Sequence, residues 1–281
     1  MTHAHHLVEI GQGVFAFLNP ERGFGHANVG LIIDTDGLTI VDCSATPAEG
    51  TELRERILEL TAALALPIRR VVVTSSRIPF AGGSDAFRQS AFYASDETSD
   101  ELDEPVNPVA LRALLPQFAG DYHDEFATRP ATHTITDEAW ITAAAHGIML
   151  PGESLANLVV HVPGTDTVFA GALGSFGVTP LVLGDPFAWM QSLEVLEGLA
   201  RTIVPGHGSI GGSRDLRELS DYLHACIAAD GDPEAMVGGP WDGWSDRRFD
   251  PVNTERAARL ARGDHSFPQS MLDLLGFGRA D

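Results

Sequence analysis

Residues 71–84 read Val71-Val-Val-Thr-Ser-Ser-Arg-Ile-Pro-Phe-Ala-Gly-Gly-Ser84. Three β-branched residues, Val71 to Val73, predict a short buried strand. Thr74 ends it, and Gly82-Gly83 punctuate a turn into a helix starting near Ser84. The loop between carries Ser75 and Ser76 at its top, followed by Arg77, Pro79 and Phe80.

Four other stretches extend this frame in both directions. Asn28 to Asp42 holds two apolar runs around a turn at Asp36-Gly37 and closes on Val41-Asp42, the pattern of a hairpin. Leu150 to His161 places Glu153 just before an apolar strand. Val168-Phe-Ala-Gly-Ala172 reads as a strand end, and Val204-Pro-Gly-His207-Gly208 as a tight turn that presents a histidine. Taken in order over residues 8–212, the five stretches resemble the metallo-β-lactamase superfamily, whose loop carries His-x-His-x-Asp-His before a Gly-rich turn. The resemblance implies an α/β fold, the αβ/βα four-layer sandwich, over residues 1–212. A C-terminal extension over 213–281, helices and an irregular tail, is expected to pack on the same domain. The resemblance also gives the positions that hold metal in relatives: Ser75, Arg77, Pro79, Phe80, Glu153, Ala172 and His207. Of these only His207 is a residue the family uses there. Zinc takes imidazole, thiolate or carboxylate. Pro and Phe offer no side-chain donor, and a protonated Arg repels a cation. No metal and no other cofactor is therefore expected.

Composition narrows the function. The 281 residues allow one large α/β domain, and an apolar fraction of 44% is ordinary for a chain with a sizeable core. Net charge is −21, and all 18 basic residues are Arg. Without lysine there is no Schiff base, lysine general base or P-loop lysine. The acidity argues against nucleic acid and anionic membranes as partners; its plain reading is solubility. A small-molecule substrate is expected, and a homo-oligomeric state stays open. Cys43 and Cys226 are far apart and read as buried small hydrophobes rather than a disulfide framework. The first residues show no cationic segment followed by an apolar run, so no signal peptide is expected, and the cytoplasm is the expected location. No stretch approaches the ~18 apolar residues of a membrane span.

Between the landmarks, Pro47–Leu64 reads as a helix capped by Thr46, with Leu53, Ile57, Leu60 and Leu64 on one face. Asp96–Glu104 holds six acids and reads as a solvated face. Helical pieces follow over 105–126. By the resemblance, the insertion 96–128 flanks the active-site mouth, where Leu111, Leu114, Leu115 and Phe118 face the cleft as a lid or pack as core. Strands are predicted at 132–136, 140–149, 157–162 and 167–171, then helices over 185–200, 215–229 and 253–262. The link 230–251 reads as an irregular surface wrap.

Each candidate side chain carries two readings. Arg77 is a fixed cation for a carboxylate or phosphate ligand, or half of a structural ion pair. Glu153 is a general acid or base raised by an apolar wall such as Phe80, or the partner of Arg77. His207 is an acid–base group, or a relic held by backbone hydrogen bonds. Arg77, Glu153 and His207 form the expected catalytic set; Ser75, Ser76, Phe80, His26 and Trp189 are the expected substrate contacts. A serine nucleophile lacks the Gly-x-Ser-x-Gly motif. Asp185 reads as a helix N-cap with Trp189 behind it. The leading expectation is a metal-independent enzyme using acid–base chemistry on a small, partly apolar metabolite: cyclisation, dehydration, isomerisation, elimination or hydrolysis of an activated acyl group. A composition rich in Ala, Gly, Asp and Arg with no Lys is what a high-GC genome tends to give, and a role in specialised metabolism is the expectation drawn from that. The alternative is a non-catalytic protein that binds a ligand or a protein. Third is a mononuclear metal hydrolase drawing on His207, Glu153 and His26.

Overall fold

The computed structural model describes residues 6–21 and 23–278; the first five residues, on which the expectation about a signal peptide rests, lie outside these. Seven strands form the first sheet: β1 (His6–Gly11), β2 (Val14–Leu18), β3 (Val29–Asp34), β4 (Gly37–Val41), β5 (Ile68–Val72), β6 (Ala91–Ser95) and β7 (His133–Ile135). They lie in sequence order, antiparallel from β1 to β4 and parallel from β4 to β7. The β3–β4 turn falls at Thr35-Asp36, one residue before the position read from the sequence, because Gly37 already pairs with Asp34. Five strands form the second sheet in the order β12-β11-β10-β9-β8: β8 (Glu138–Trp140), β9 (His146–Leu150), β10 (Asn157–Val162), β11 (Thr167–Phe176) and β12 (Thr202–Gly208). Residues 140–149, read as one strand, are instead a hairpin. The Thr142 hydroxyl accepts the amides of Ala144 and Ala145, each at 3.1 Å, and turns the chain back on itself.

Strand alternation sorts side chains into layers. Val41 and Val72 point between the sheets, meeting Leu158, Val160, Phe169 and Val204. Their neighbours Ile40, Val71 and Val73 point outward onto Leu53 and Ile57 of α1 (Pro47–Leu60). Thr46 caps α1 by accepting the Glu49 amide at 3.2 Å, as the sequence predicts. On the far side α5 (Pro186–Leu199) and α6 (Ser213–Ala228) cover the second sheet, burying Trp189, Leu193, Leu216 and Tyr222. Three apolar interfaces thus make an α/β/β/α sandwich. Each fully buried Val, Leu, Ile or Phe contributes about 1.5–3 kcal/mol.

Shorter helices complete the chain: α2 (Ile78–Ala81), α3 (Asp96–Asp103), α4 (Pro108–Leu114), α7 (Asp250–Ala261) and α8 (Gln269–Leu274). α3 is the acidic run. Ser95 caps it, Leu102 faces inward, and most of its acids are exposed. The link 230–251 is more than a surface wrap. Met236 and Phe249 are fully buried, and Trp241 and Trp244 pack on Tyr222. Asn253 fastens α7 to the body, accepting the Val182 amide at 2.8 Å and donating to the Pro180 carbonyl and the Tyr222 hydroxyl. Among the described residues, no helix is long and apolar enough to cross a membrane.

Candidate functional site

The carboxyl ends of β4 and β5 and the far halves of β11 and β12 converge beside the loop at 75–83. Asp42 ends β4 with φ 65° and accepts the Thr74 amide at 2.8 Å and the Thr74 hydroxyl at 2.9 Å. Burial pushes its carboxyl up to about 8, against the lowering effect of those bonds. The Gly82-Gly83 turn is required by close approach. A Cβ on Gly82 would lie 1.9 Å from the Ala45 carbonyl. Gly171, at φ 51°, bulges β11 so closely over Thr74 that a Cβ would reach its hydroxyl at 2.0 Å. The loop itself winds into α2, a single turn that carries Phe80 inward.

Glu153 is 3% exposed and engaged at both oxygens. Arg77 Nε donates to Oε1 at 2.6 Å; the Ser75 hydroxyl and the Asn157 amide donate to Oε2 at 3.0 and 3.3 Å. Burial alone would lower the Arg77 pKa, but the charge and hydrogen bond of Glu153 outweigh it and raise it. The Arg77 side chain is 28% exposed, so the pair reaches solvent on the arginine side only. Ser76 donates to Glu101 of α3, tying the loop to the acidic helix.

Phe80 fills the space beside this pair, packed with Ala27 and Ala172 in a small cluster of buried apolar side chains. His207 is 3% exposed, with its ring centre 5.2 Å from that of Phe80 and 5.5 Å from that of Phe24. Its Nδ1 lies 3.4 Å from the His26 carbonyl, and its Nε2 is buried without a hydrogen-bond partner. Burial lowers its pKa to about 4, so the ring is neutral at physiological pH.

Three segments distant in sequence pack together around Phe24, whose ring lies against His207. Phe24 comes from the β2–β3 loop, Leu111 and Leu115 from the insertion, and Phe249, Val252 and Met271 from the C-terminal extension; together they form one apolar cluster. The expected lid residues Leu111, Leu114, Leu115 and Phe118 pack into or against this cluster. Beside the cap lies an open cleft of about 490 Å³, lined by Asn19, His26, Glu49, Glu52, Gln117 and Asp121 among others. His26 stands at its wall with Phe118 against its ring and Glu21 at 3.2 Å. Burial raises the Glu49 carboxyl to about 7, aided by Asp121 and Glu52 and opposed by the amides of Ala45 and Thr46.

The sequence-predicted residues therefore separate. Arg77, Glu153 and Ser75 form one hydrogen-bonded unit; Phe80 and His207 pack next to each other; His26 faces the cleft. Trp189 lies elsewhere, fully buried in the second-sheet core with its indole nitrogen bonded to the Leu173 carbonyl at 3.1 Å. Asp185 caps α5 as predicted. Glu49 and Gln117 were missed as cleft residues. Glu49 reads as an ordinary first-turn acid of a helix, and only the folded chain brings it to the cleft wall beside Gln117 and Asp121. The donor set does not fit the metals of relatives: a guanidinium, a proline, a phenyl ring and a methyl occupy four of the ligand positions. Among the described residues no group of three or more His, Cys, Asp or Glu is placed to hold a metal ion.

No protein-family model matches the chain, and no curated protein does. Solved structures do. The metallo-β-lactamase FIM-1 from Pseudomonas aeruginosa, in its mono-zinc form, aligns at TM-score 0.58 with 20% identity, covering 78% of this chain and 94% of its own. DIM-1 metallo-β-lactamase aligns at 0.58 with 17% identity over 78% and 96%. The metallo-β-lactamase from Erythrobacter litoralis aligns at 0.56 with 20% identity over 79% and 96%. The chain has the metallo-β-lactamase fold.

Proposed function

We propose that this chain works without the metal centre of its fold-mates, as a small-molecule-binding protein. The former centre serves as a structural keystone, and the ligand enters the cleft beside His26. The observation that carries this is the saturation of Glu153. A carboxylate that accepts from Arg77, Ser75 and Asn157 has little capacity left to take a substrate proton. Metal-bound hydroxide gives hydrolases of this kind their nucleophile, and the side chains at these positions supply no ligand set for it.

The test combines zinc titration with a thermal-shift screen of polar metabolites. The expected result is no saturable zinc site and a ligand whose stabilising effect is lost in His26→Ala and Gln117→Ala but kept in Arg77→Met. Stoichiometric zinc that disappears in His207→Ala would overturn it in favour of the mononuclear hydrolase.

A second reading, acid–base catalysis by His207 with Arg77 and Glu153 positioning the substrate, is favoured by the unpartnered Nε2 of His207. A neutral imidazole with a free lone pair is a competent base once a substrate reaches it. Here the native host decides. A deletion strain re-expressing a folded Glu153→Gln/His207→Ala variant should accumulate the same precursor as the deletion if this reading holds.

A further inference from the structure

We propose that Asp246 and Arg248 form a latch that holds the three-part cap shut over His207, and that releasing it opens a route to that ring. Asp246 and Arg248 together join all three parts. One carboxylate oxygen accepts the Phe24 amide of the β2–β3 loop at 2.7 Å. The other pairs with Arg248 at 3.2 Å, and the Arg248 guanidinium donates to the Leu114 carbonyl of the insertion at 2.7 Å. The same guanidinium lies over the Phe249 ring at 4.8 Å, and Phe249 meets Phe24 edge-on at 4.9 Å. Residues 24, 114 and 246–249, distant along the chain, are thus tied at one point directly above His207.

The backbone supports the assignment. Asp246 sits in the left-handed region at φ 56°, ψ 32°. A non-glycine residue there costs roughly 1 kcal/mol, and Asp is among the few that tolerate it because its side chain bonds locally. That conformation starts the turn that leads into Phe249.

The cap also has a fixed base and a tied tip. Asn28 anchors the base of the β2–β3 loop, donating to the carbonyls of Pro205 and Gly208 at 2.9 Å each. Phe24, at the tip, is fastened to the extension through Asp246. The latch bonds are charge-assisted and lie at the surface, where salt screens them. The apolar layer beneath is not weakened in this way. The device is independent of what His207 does, whether it binds, catalyses or only packs.

The experiment is diethyl pyrocarbonate labelling of the full native chain, with each histidine followed by peptide mass mapping. In the wild type, exposed His123 and His265 react quickly while His207 is protected. Each of Asp246→Ala and Arg248→Ala removes two of the latch contacts, and His207 labelling should speed about tenfold or more in either. The rates at His123 and His265 stay unchanged, and Asp242→Ala, which lies outside the latch, leaves His207 protected. If Asp246→Ala does not fold, Arg248→Ala and a salt series on the wild type carry the same test. Rapid His207 labelling in the wild type, or wild-type protection in a folded Arg248→Ala with no acceleration by salt, overturns the proposal.

Discussion

Two regions meet at His26. On its inner side the region around Glu153 and His207 is a closed core: Glu153 is paired, Phe80 is buried, and His207 is held neutral between two phenyl rings. On its outer side the cleft is open and acidic, with Glu49, Glu52 and Asp121 on its walls and no arginine among the residues described as lining it. The difference shows how burial governs which charges a site can keep. A closed core cannot keep a bare carboxylate, and Glu153 there is paired with Arg77. The cleft meets water and can keep its acids. One of them, Glu49, is buried enough to titrate near neutrality.

Four predictions test that contrast, the largest effect first. Phe80→Ala should empty the packed centre and cost about 3–5 kcal/mol in urea unfolding. A loss below about 1 kcal/mol would mean the ring is not core. Arg77→Ala leaves Glu153 buried without its cation and should cost about 3 kcal/mol. Glu153→Gln leaves the arginine near water and should cost only about 1 kcal/mol. Equal losses in the two variants would show that burial is not what separates them.

The third prediction concerns acid. His207 has a folded-state pKa of about 4, lowered by burial, against an ordinary value of 6.5. Between these values the unfolded chain binds the proton that the folded chain refuses. Stability should therefore be full above pH 6.5 and fall as pH drops toward 4, by roughly 3 kcal/mol. Urea titrations across that window should show this component vanish in His207→Gln; an unchanged slope would place the ring in water.

The smallest effect is on the cleft side and has the opposite sign. Glu49 is raised to about 7 by burial from an ordinary 4.5. Its contribution is present below pH 4.5 and lost as pH rises through 7. Glu49→Gln should remove that loss, leaving the variant modestly more stable than wild type at pH 8. A variant that is less stable there would mean the ionised carboxylate has a compensating partner in the cleft.

Much of this contrast was legible along the chain. Val71 to Val73, the hairpin at 28–42 and the Gly82-Gly83 turn carry continuous apolar runs and turn chemistry, which are local and survive in sequence. The pairing of Arg77 with Glu153 could be stated as one of two readings but not chosen. Seventy-six residues separate them, and only the packed loop brings Nε within 2.6 Å of the carboxylate. The hairpin at 138–150 was hidden because Thr142 turns the chain within one apolar run. Trp189 carried no signal of which layer it would enter.

By itself the sequence determined the sandwich and the residue types at the seven positions compared with metal ligands, among them Arg77, Pro79, Phe80 and Ala172, because residue type and spacing decide those. The tertiary structure alone decided that His207 is sealed and neutral, that Glu49 is partly buried at the cleft wall, and that Asp246 reaches Phe24 across 222 residues. Burial and long-range hydrogen bonds depend on which surfaces meet, and a linear pattern records only what each residue offers to such a meeting.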